Sequence, residues 1–144
     1  MFLGEHQHAL DAKGRITIPV KLRYKLGERF IATKGLDKCI FLFPISEWQE
    51  LDKKLGDLPS LSRPEARSFV RFFYSGASEL EMDKQGRTVL PINLREYAEI
   101  DKDIFIVGVG SRIEIWSQDK WTVYNKEAGA AYEAQAESIV DLGI

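Results

Sequence analysis

Cysteine and histidine are scarce in this 144-residue chain, which has one of the first, Cys39, and two of the second, His6 and His8. A lone thiol closes no internal disulfide, and Cys39 stands in an apolar run, where a small buried side chain is the expected role. His6 and His8 would share one face of a strand, but no further His or Cys completes a zinc site, so no metal is expected. The same scarcity leaves no histidine- or cysteine-based catalytic dyad; acidic pairs remain possible, and local pattern singles out none. Gly108-Val109-Gly110 lacks the third glycine and the following helix of a phosphate-cradling loop, and reads as a strand running into a turn. The expectation is a protein that is not an enzyme and uses no cofactor.

Long apolar runs are missing as well. The stretches 39–46 and 104–110 fall far short of the roughly 20 residues that cross a bilayer. The opening Met-Phe-Leu-Gly-Glu-His carries no basic segment followed by an apolar run, so no secretory signal is read there. A cytoplasmic location without membrane contact follows as an expectation. What is present, 44% hydrophobic and 11% aromatic residues, suffices for one substantial core or two small ones sharing an interface.

The net charge of −2 argues against a nucleic-acid partner only if charge is spread evenly. It is not: residues 1–72 hold 13 basic against 9 acidic residues, and residues 73–144 hold 7 against 13. Between Lys13 and Lys34, seven cations (Lys13, Arg15, Lys21, Arg23, Lys25, Arg29 and Lys34) face one carboxylate, Glu28.

An internal duplication explains how one half can differ from the other within a single architecture. At an offset of 72, Asp11-Ala12-Lys13-Gly14-Arg15 faces Asp83-Lys84-Gln85-Gly86-Arg87, and Ile18-Pro19, Leu22 and Arg23 face Leu90-Pro91, Leu94 and Arg95. At offset 73 the match resumes, with Gly35 facing Gly108, Phe43 facing Trp116 and Trp48 facing Trp121. Each unit alone is too small to bury its apolar face, so two half-domains about a pseudo-twofold axis are expected.

Within a copy, residues 6–10 and 15–18 alternate on either side of the Asp-x-x-Gly turn and predict a hairpin. Pro19 suits the first turn of a short helix with Leu22 and Leu26 facing inward and Lys21 and Lys25 elsewhere. Residues 30–33 and 40–43 predict a second hairpin, repeated at 104–107 and 113–116. Each copy closes in a helix, for which Ser46 and Asp119 are the expected N-caps. Trp48, Leu51 and Leu55 line one face of the first, and Trp121, Tyr124 and Ala128 one face of the second. Residues 56–61 read as a linker, and Ser62-Arg63-Pro64-Glu65 as a capping box opening a helix through Tyr74. Phe69, Val70, Phe72 and Phe73 cover more than one face of that helix, which predicts burial on two sides, one against a neighbouring subunit.

The Asp-x-x-Gly-Arg motif has a definite physics. Asp11 and Asp83 can accept backbone N–H bonds across the turn, and Gly14 and Gly86 permit positive φ, so these four are turn-shaping residues. Arginine is not needed for the turn. Arg15 could present its fork to a phosphate or a guanine edge with Lys13 beside it, or be tied up in an ion pair with Asp11 or Glu28. Arg87 sits in sequence near Glu96, Glu99, Asp101 and Asp103, which favours the ion-pair role for it. Lys21, Arg23 and Lys25 suit either a solvated face or phosphate contacts beside the Arg15 turn.

The duplicated Asp-x-x-Gly-Arg followed by Ile-Pro or Leu-Pro, the opening Met-Phe-Leu-Gly-Glu, the Phe-Pro-Ile-Ser-Glu-Trp segment and Phe72-Phe73-Tyr74-Ser75-Gly76 resemble the MraZ family over essentially the whole chain. The resemblance implies an α+β fold in which two SpoVT-AbrB-like swapped-hairpin repeats pair as a pseudo-dimeric β-barrel with flanking helices. Its divisions would be repeat 1 at 5–47, a helical linker at 48–75, repeat 2 at 76–119 and a C-terminal helix at 120–144. It further implies a DNA-binding transcriptional regulator of the nucleoid, mainly a repressor. Such a protein binds short direct repeats in the promoter of the division and cell-wall gene cluster, including its own gene, as a ring-shaped homo-oligomer. The DNA-facing residues carried over are Lys13, Gly14, Arg15, Lys21, Arg23 and, in the second motif, Arg87; Asn93 in place of Lys21 weakens that second copy. Several weak loops on one ring would reinforce one another on successive operator repeats. Two alternatives remain, an antitoxin-like AbrB module and an assembly scaffold without DNA. Residues 127–144 are acidic, as a partner-binding tail would be, but 128–140 is helix-compatible, unlike the long disordered tail of antitoxins.

Overall fold

The computed structural model of the chain describes residues 1–58, 62–139 and 142–143. Residues 59–61 of the expected linker, and residues 140, 141 and 144 of the acidic C-terminal run, lie outside them. The first half of the chain forms β1 (Glu5–Ala9), β2 (Arg15–Thr17), α1 (Val20–Leu26), β3 (Arg29–Lys34), β4 (Ile40–Pro44) and α2 (Ile45–Gly56). After α3 (Pro64–Ser75) the pattern returns as β5 (Ser78–Glu81), β6 (Arg87–Val89), α4 (Ile92–Tyr97), β7 (Asp103–Val109), β8 (Arg112–Ser117) and α5 (Gln118–Ser138). The class is α+β, as expected.

Strand pairing interlocks the halves. Six strands form an antiparallel sheet in the order β1-β7-β8-β4-β3-β5, and β2 pairs with β6 as a separate two-stranded ribbon. β1 thus lies against β7 of the other half, with His6 opposite Ile106, and β5 lies against β3, with Leu80 opposite Phe30. The hairpins β3–β4 and β7–β8 occur as predicted. The predicted β1–β2 hairpin does not. Backbone bonding across the Asp11 turn stops at Asp11 N to Arg15 O, 2.9 Å, and Gly14 N to Asp11 O, 3.0 Å. The turn acts as a corner that lifts β2 out of the sheet, where β6, lifted by its own corner, is the available partner.

The closed β-barrel implied by the resemblance is also not formed among the described residues. β1 pairs only with β7 and β5 only with β3, so the sheet is open in strand order, with the ribbon lying apart from it. The two corners that release β2 and β6 are again the cause.

The sheet is covered on both faces, and the alternation of β4 shows it. Ile40 and Leu42 enter one core with Ile16, Ile18, Leu22, Leu26, Leu90 and Leu94 from the ribbon and α1 and α4, while Phe41 and Phe43 enter an aromatic core with Leu55 and Phe73 from α2 and α3. A strand buried on both sides reads as a continuous apolar run, which is what 40–43 is. Burying each such side chain contributes about 1.5–3 kcal/mol. Cys39 is fully buried in the aromatic core, its Sγ facing Leu36 O at 3.2 Å, and burial pushes its thiol well above the usual range, so it behaves as a packed side chain.

Helix starts differ from expectation by one or two residues. α2 is preceded by Pro44, so Ser46 falls inside its first turn; Ser117, not Asp119, caps α5, its Oγ accepting from Lys120 N at 3.2 Å; and Arg63 holds the cap position of α3. Proline explains two of the three. Pro64 opens α3 with φ already near the helical value and no N–H to satisfy, and Pro44, at the cap position of α2 with ψ of 151°, has no side chain that could cap the helix. In α3 only Phe73 is buried; Phe69 and Phe72 remain 43% and 53% exposed.

Candidate nucleic-acid interface

Both copies of the Asp-x-x-Gly-Arg motif meet at the β2–β6 ribbon. Arg15 lies opposite Val89, Ile16 opposite Thr88 and Thr17 opposite Arg87. With a period of two, Ile16 and Thr88 turn inward and are buried, which leaves Arg15, Thr17, Arg87 and Val89 on one outward face. The loop carbonyls extend this pairing: Leu90 N donates to Gly14 O at 3.1 Å and Ile18 N to Gly86 O at 2.8 Å. Each motif is therefore held by the strand that follows the other.

The turns themselves are built alike. Asp11 Oδ1 accepts from Lys13 N and Arg15 N, both at 2.9 Å, and Oδ2 accepts from Arg15 Nε at 2.7 Å. Asp83 does the same with Gln85 N, Arg87 N and Arg87 Nε, at 2.9, 2.9 and 2.8 Å. The backbone bond from Arg15, and after it the guanidinium and Lys13 N, hold the Asp11 carboxyl below the usual carboxylate range, and the same donors in the second motif hold Asp83 there. Gly14 and Gly86 take φ of 74° and 80°, a region that suits glycine.

The ion pair expected as the alternative role of Arg15 is present, but it does not consume the side chain. Asp11 holds Nε, and neither Nη group of Arg15 donates to a described residue; Arg87 is placed identically. A guanidinium fixed at Nε with two Nη donors facing outward is a pre-organised fork for an anion or a base edge. Of the residues that sequence proximity set against Arg87, Glu99, Asp101 and Asp103 are elsewhere and line a separate groove with Ser117 and Asp119. Besides the turn aspartates, Glu28 and Glu81 lie near the ribbon and border a shallow groove with Arg15, Asp83, Lys84 and Arg87.

Of the other candidate residues, Lys13 is exposed beside Arg15, and Lys21 is exposed on α1 with Val20, Tyr24 and Lys25. Tyr24 is 97% exposed. Arg23 has a different setting. Its Nε donates to Ile18 O at 2.7 Å, and its guanidinium covers Gly86 of the opposite motif; Arg95 likewise donates to Leu90 O at 3.0 Å and covers Gly14. Sequence reasoning missed Thr17, Val89, Lys84 and Arg95 as members of this surface. The two-residue alternation of 15–17 and 87–89 would have found the first two; nothing local reports the crossing of Arg95 to Gly14.

A family model described as "MraZ protein, putative antitoxin-like" matches the chain twice, over residues 1–72 and 73–142. The chain belongs to this family. It is 64% identical, over the full length of both, to the transcriptional regulator MraZ of Syntrophomonas wolfei subsp. wolfei. It is 59% identical to that of Desulfitobacterium hafniense, again over all of both chains, and 52% to that of Moorella thermoacetica. These relatives carry the name of a regulator and not of an enzyme. The division between the two matches, at 72 and 73, coincides with the period of the duplication read from the sequence. Among the described residues no helix is long and apolar enough to cross a membrane.

Proposed function

We propose that this chain is a sequence-specific DNA-binding transcriptional regulator whose reading surface is the outward face of the β2–β6 ribbon. One observation carries this: Arg15 and Arg87, 72 residues apart, are brought to one face with their Nη groups unengaged and their Nε groups held by Asp11 and Asp83. Lys13 and Gly14 belong to the first loop, Lys21 is exposed on α1, and the Arg23 guanidinium covers Gly86 of the second loop. Phosphate contacts by the lysines would set register, and the arginine forks would read base edges.

On this reading the repeats at 5–47 and 76–119, joined by the helical segment 48–75 and followed by the helix of 120–144, are AbrB-like units that pair within one chain. The protein acts mainly as a repressor of the division and cell-wall gene cluster, its own promoter included. It binds short direct repeats as a ring-shaped homo-oligomer and is found on the nucleoid in the cytoplasm. The exchange of β1 and β5 between halves supports the paired-repeat architecture, and the identity to named regulators supports the activity.

The test is a gel-shift titration on the DNA upstream of the chain's own gene, against scrambled DNA, at two salt concentrations. Selective and salt-sensitive retardation is expected, since each neutralised phosphate releases counterions. Equal retardation of both DNAs, or none at concentrations that permit assembly, would move the assignment to an assembly scaffold without DNA.

A further inference from the structure

The outward face of the β2–β6 ribbon carries four side chains, and only one of them is wholly apolar. Arg15 and Thr17 stand on β2 and Arg87 and Val89 on β6, with Arg15 across from Val89 and Thr17 across from Arg87. Val89 is 51% exposed. Thr17, which holds the same place in the first copy of the duplication, is half-buried.

A β-branched residue suits a strand, so strand formation accounts for the shape of Val89. It does not account for the chemistry. Threonine fills the related position with the same branching and a hydroxyl that water can solvate. The neighbours of Val89 on its own face are Arg15 across the ribbon and Arg87 along the strand, and neither is an apolar residue on which it could bury its methyl groups. Two methyls held between two guanidinium groups call for an anionic partner with an apolar point on its surface.

The major groove of duplex DNA is such a partner. It admits a two-stranded ribbon, guanine presents there the paired acceptors that suit an arginine fork, and thymine alone presents a methyl group. Side chains opposite one another in a ribbon have Cβ atoms about 5 Å apart, and same-face neighbours along one strand lie about 7 Å apart. Bases follow one another at about 3.4 Å, so Val89 falls within about two base-pair steps of each arginine. Its side chain is short and makes no hydrogen bond, which leaves the thymine methyl as the one feature of a base edge that it complements.

We propose that Val89 is a specificity-determining residue of the DNA-reading face, its isopropyl group packing on the C5-methyl of a thymine adjoining the guanine that Arg15 reads. This rests on the DNA-binding reading above and adds a base to it. The pseudo-twofold relation of the two motifs is broken at this point, because Thr17 beside Arg87 presents a hydroxyl where Val89 has a methyl. The two ends of the ribbon therefore read unlike sequences, and the chain lies on its site in one orientation.

The experiment uses the full chain and the upstream DNA that the gel shift retards. Each thymine in the stretch protected from DNase is replaced singly by deoxyuridine, which lacks only the C5-methyl, and fluorescence anisotropy gives Kd for the wild-type chain and for Val89→Ser. Position 89 is exposed, and comparing uracil with thymine within each protein removes any general loss of affinity from the result. In the wild-type chain one deoxyuridine beside a guanine is expected to raise Kd about fourfold, the equivalent of about 0.8 kcal/mol for one methyl group. In Val89→Ser the same replacement should leave Kd unchanged. Replacing the adjoining guanine by 7-deazaguanine should weaken the wild-type chain and leave Arg15→Ala unaffected. A wild-type chain indifferent to every deoxyuridine would overturn the proposal and leave the DNA-binding reading intact, as would a methyl preference that persists at full size in Val89→Ser. Sensitivity to 7-deazaguanine that survives in Arg15→Ala would overturn the pairing of Val89 with Arg15. No preference of the wild-type chain for the unmodified upstream DNA over scrambled DNA would overturn both readings together.

Discussion

The guanidinium of Arg23 occupies the space that a side chain at Gly86 would need. A Cβ built at Gly86 would lie 2.1 Å from Arg23 Nε, and at the related position a Cβ at Gly14 would lie 3.0 Å from Arg95 Nη1. Each arginine leaves its own repeat and covers the turn of the other, and its Nε is anchored by a carbonyl at the end of its own repeat's second strand. Two glycines that look like isolated turn devices in the sequence are thus parts of a reciprocal clasp around the ribbon.

This clasp makes Gly86→Ala more damaging than Gly14→Ala. Both substitutions place a methyl group at positive φ, for which strain of about 1–3 kcal/mol is expected. At Gly86 the added methyl also displaces Arg23 from Ile18 O, whereas at Gly14 the approach is looser and Arg95 can shift by tenths of an ångström. Urea unfolding of both variants checks the order. A double-mutant cycle with Arg23→Ala isolates the clash, because removing the guanidinium should recover part of the Gly86→Ala loss but none of the φ strain. Equal penalties in the presence and absence of Arg23 would mean that the clasp is not rigid.

The equivalence of the two motifs leads to a second expectation. Charge asymmetry in the sequence predicts that Arg15 matters to DNA binding and Arg87 much less. The structure gives both the same Nε-to-carboxylate anchor, at 2.7 and 2.8 Å, and similar side-chain exposure, 26% and 34%. Arg15→Ala and Arg87→Ala are therefore expected to weaken specific binding to a similar degree, each by about 1–3 kcal/mol or roughly 5- to 150-fold in Kd. Fluorescence anisotropy against one operator fragment measures both, and the oligomer should remain intact in each variant. A loss confined to Arg15→Ala would return the second motif to a purely structural role.

Much of this was legible in the sequence for reasons that are local. The duplication, the turn chemistry of Asp11 and Asp83, the burial of Leu22 and Leu26, and the hairpin of 30–33 with 40–43 all follow from spacing and residue type. What was not legible is pairing between distant strands. Alternation on either side of Asp11 is compatible with a hairpin, and only the presence of a second corner at Asp83, with β6 free to pair, shows that β2 goes elsewhere. The ion pair favoured for Arg87 is present, but its partner is Asp83 of its own turn and not the acidic run after α4, for a related reason. Glu99, Asp101 and Asp103 are near it along the chain, but the corner at Asp83 and the turn after α4 send them to different surfaces.

Acid sensitivity should arise in two separate windows, and the sign of each follows from the direction of the shift. His8 on β1 has a pKa lowered from 6.5, first by partial burial and then by the neighbouring His6. The unfolded chain then binds more protons than the folded one below about pH 6.5, so stability is full above that value and declines as pH falls toward and through the folded pKa. Asp11 and Asp83 are also depressed, by the hydrogen bonds of their turns, so the stability they supply is present above the ordinary carboxylate range and lost only at more acidic pH. His8→Gln keeps a polar side chain of similar reach and removes the first titration while leaving the second. Urea midpoints at pH 7.5, 6 and 5 should fall for the wild-type chain and stay nearly level for His8→Gln, with both proteins losing stability together below about pH 4. Parallel curves from pH 7.5 to 5 would show that the strand-edge histidine is not the source. A fall below pH 4 that Asp11→Asn does not alter would remove the turn carboxylate from the account in the same way.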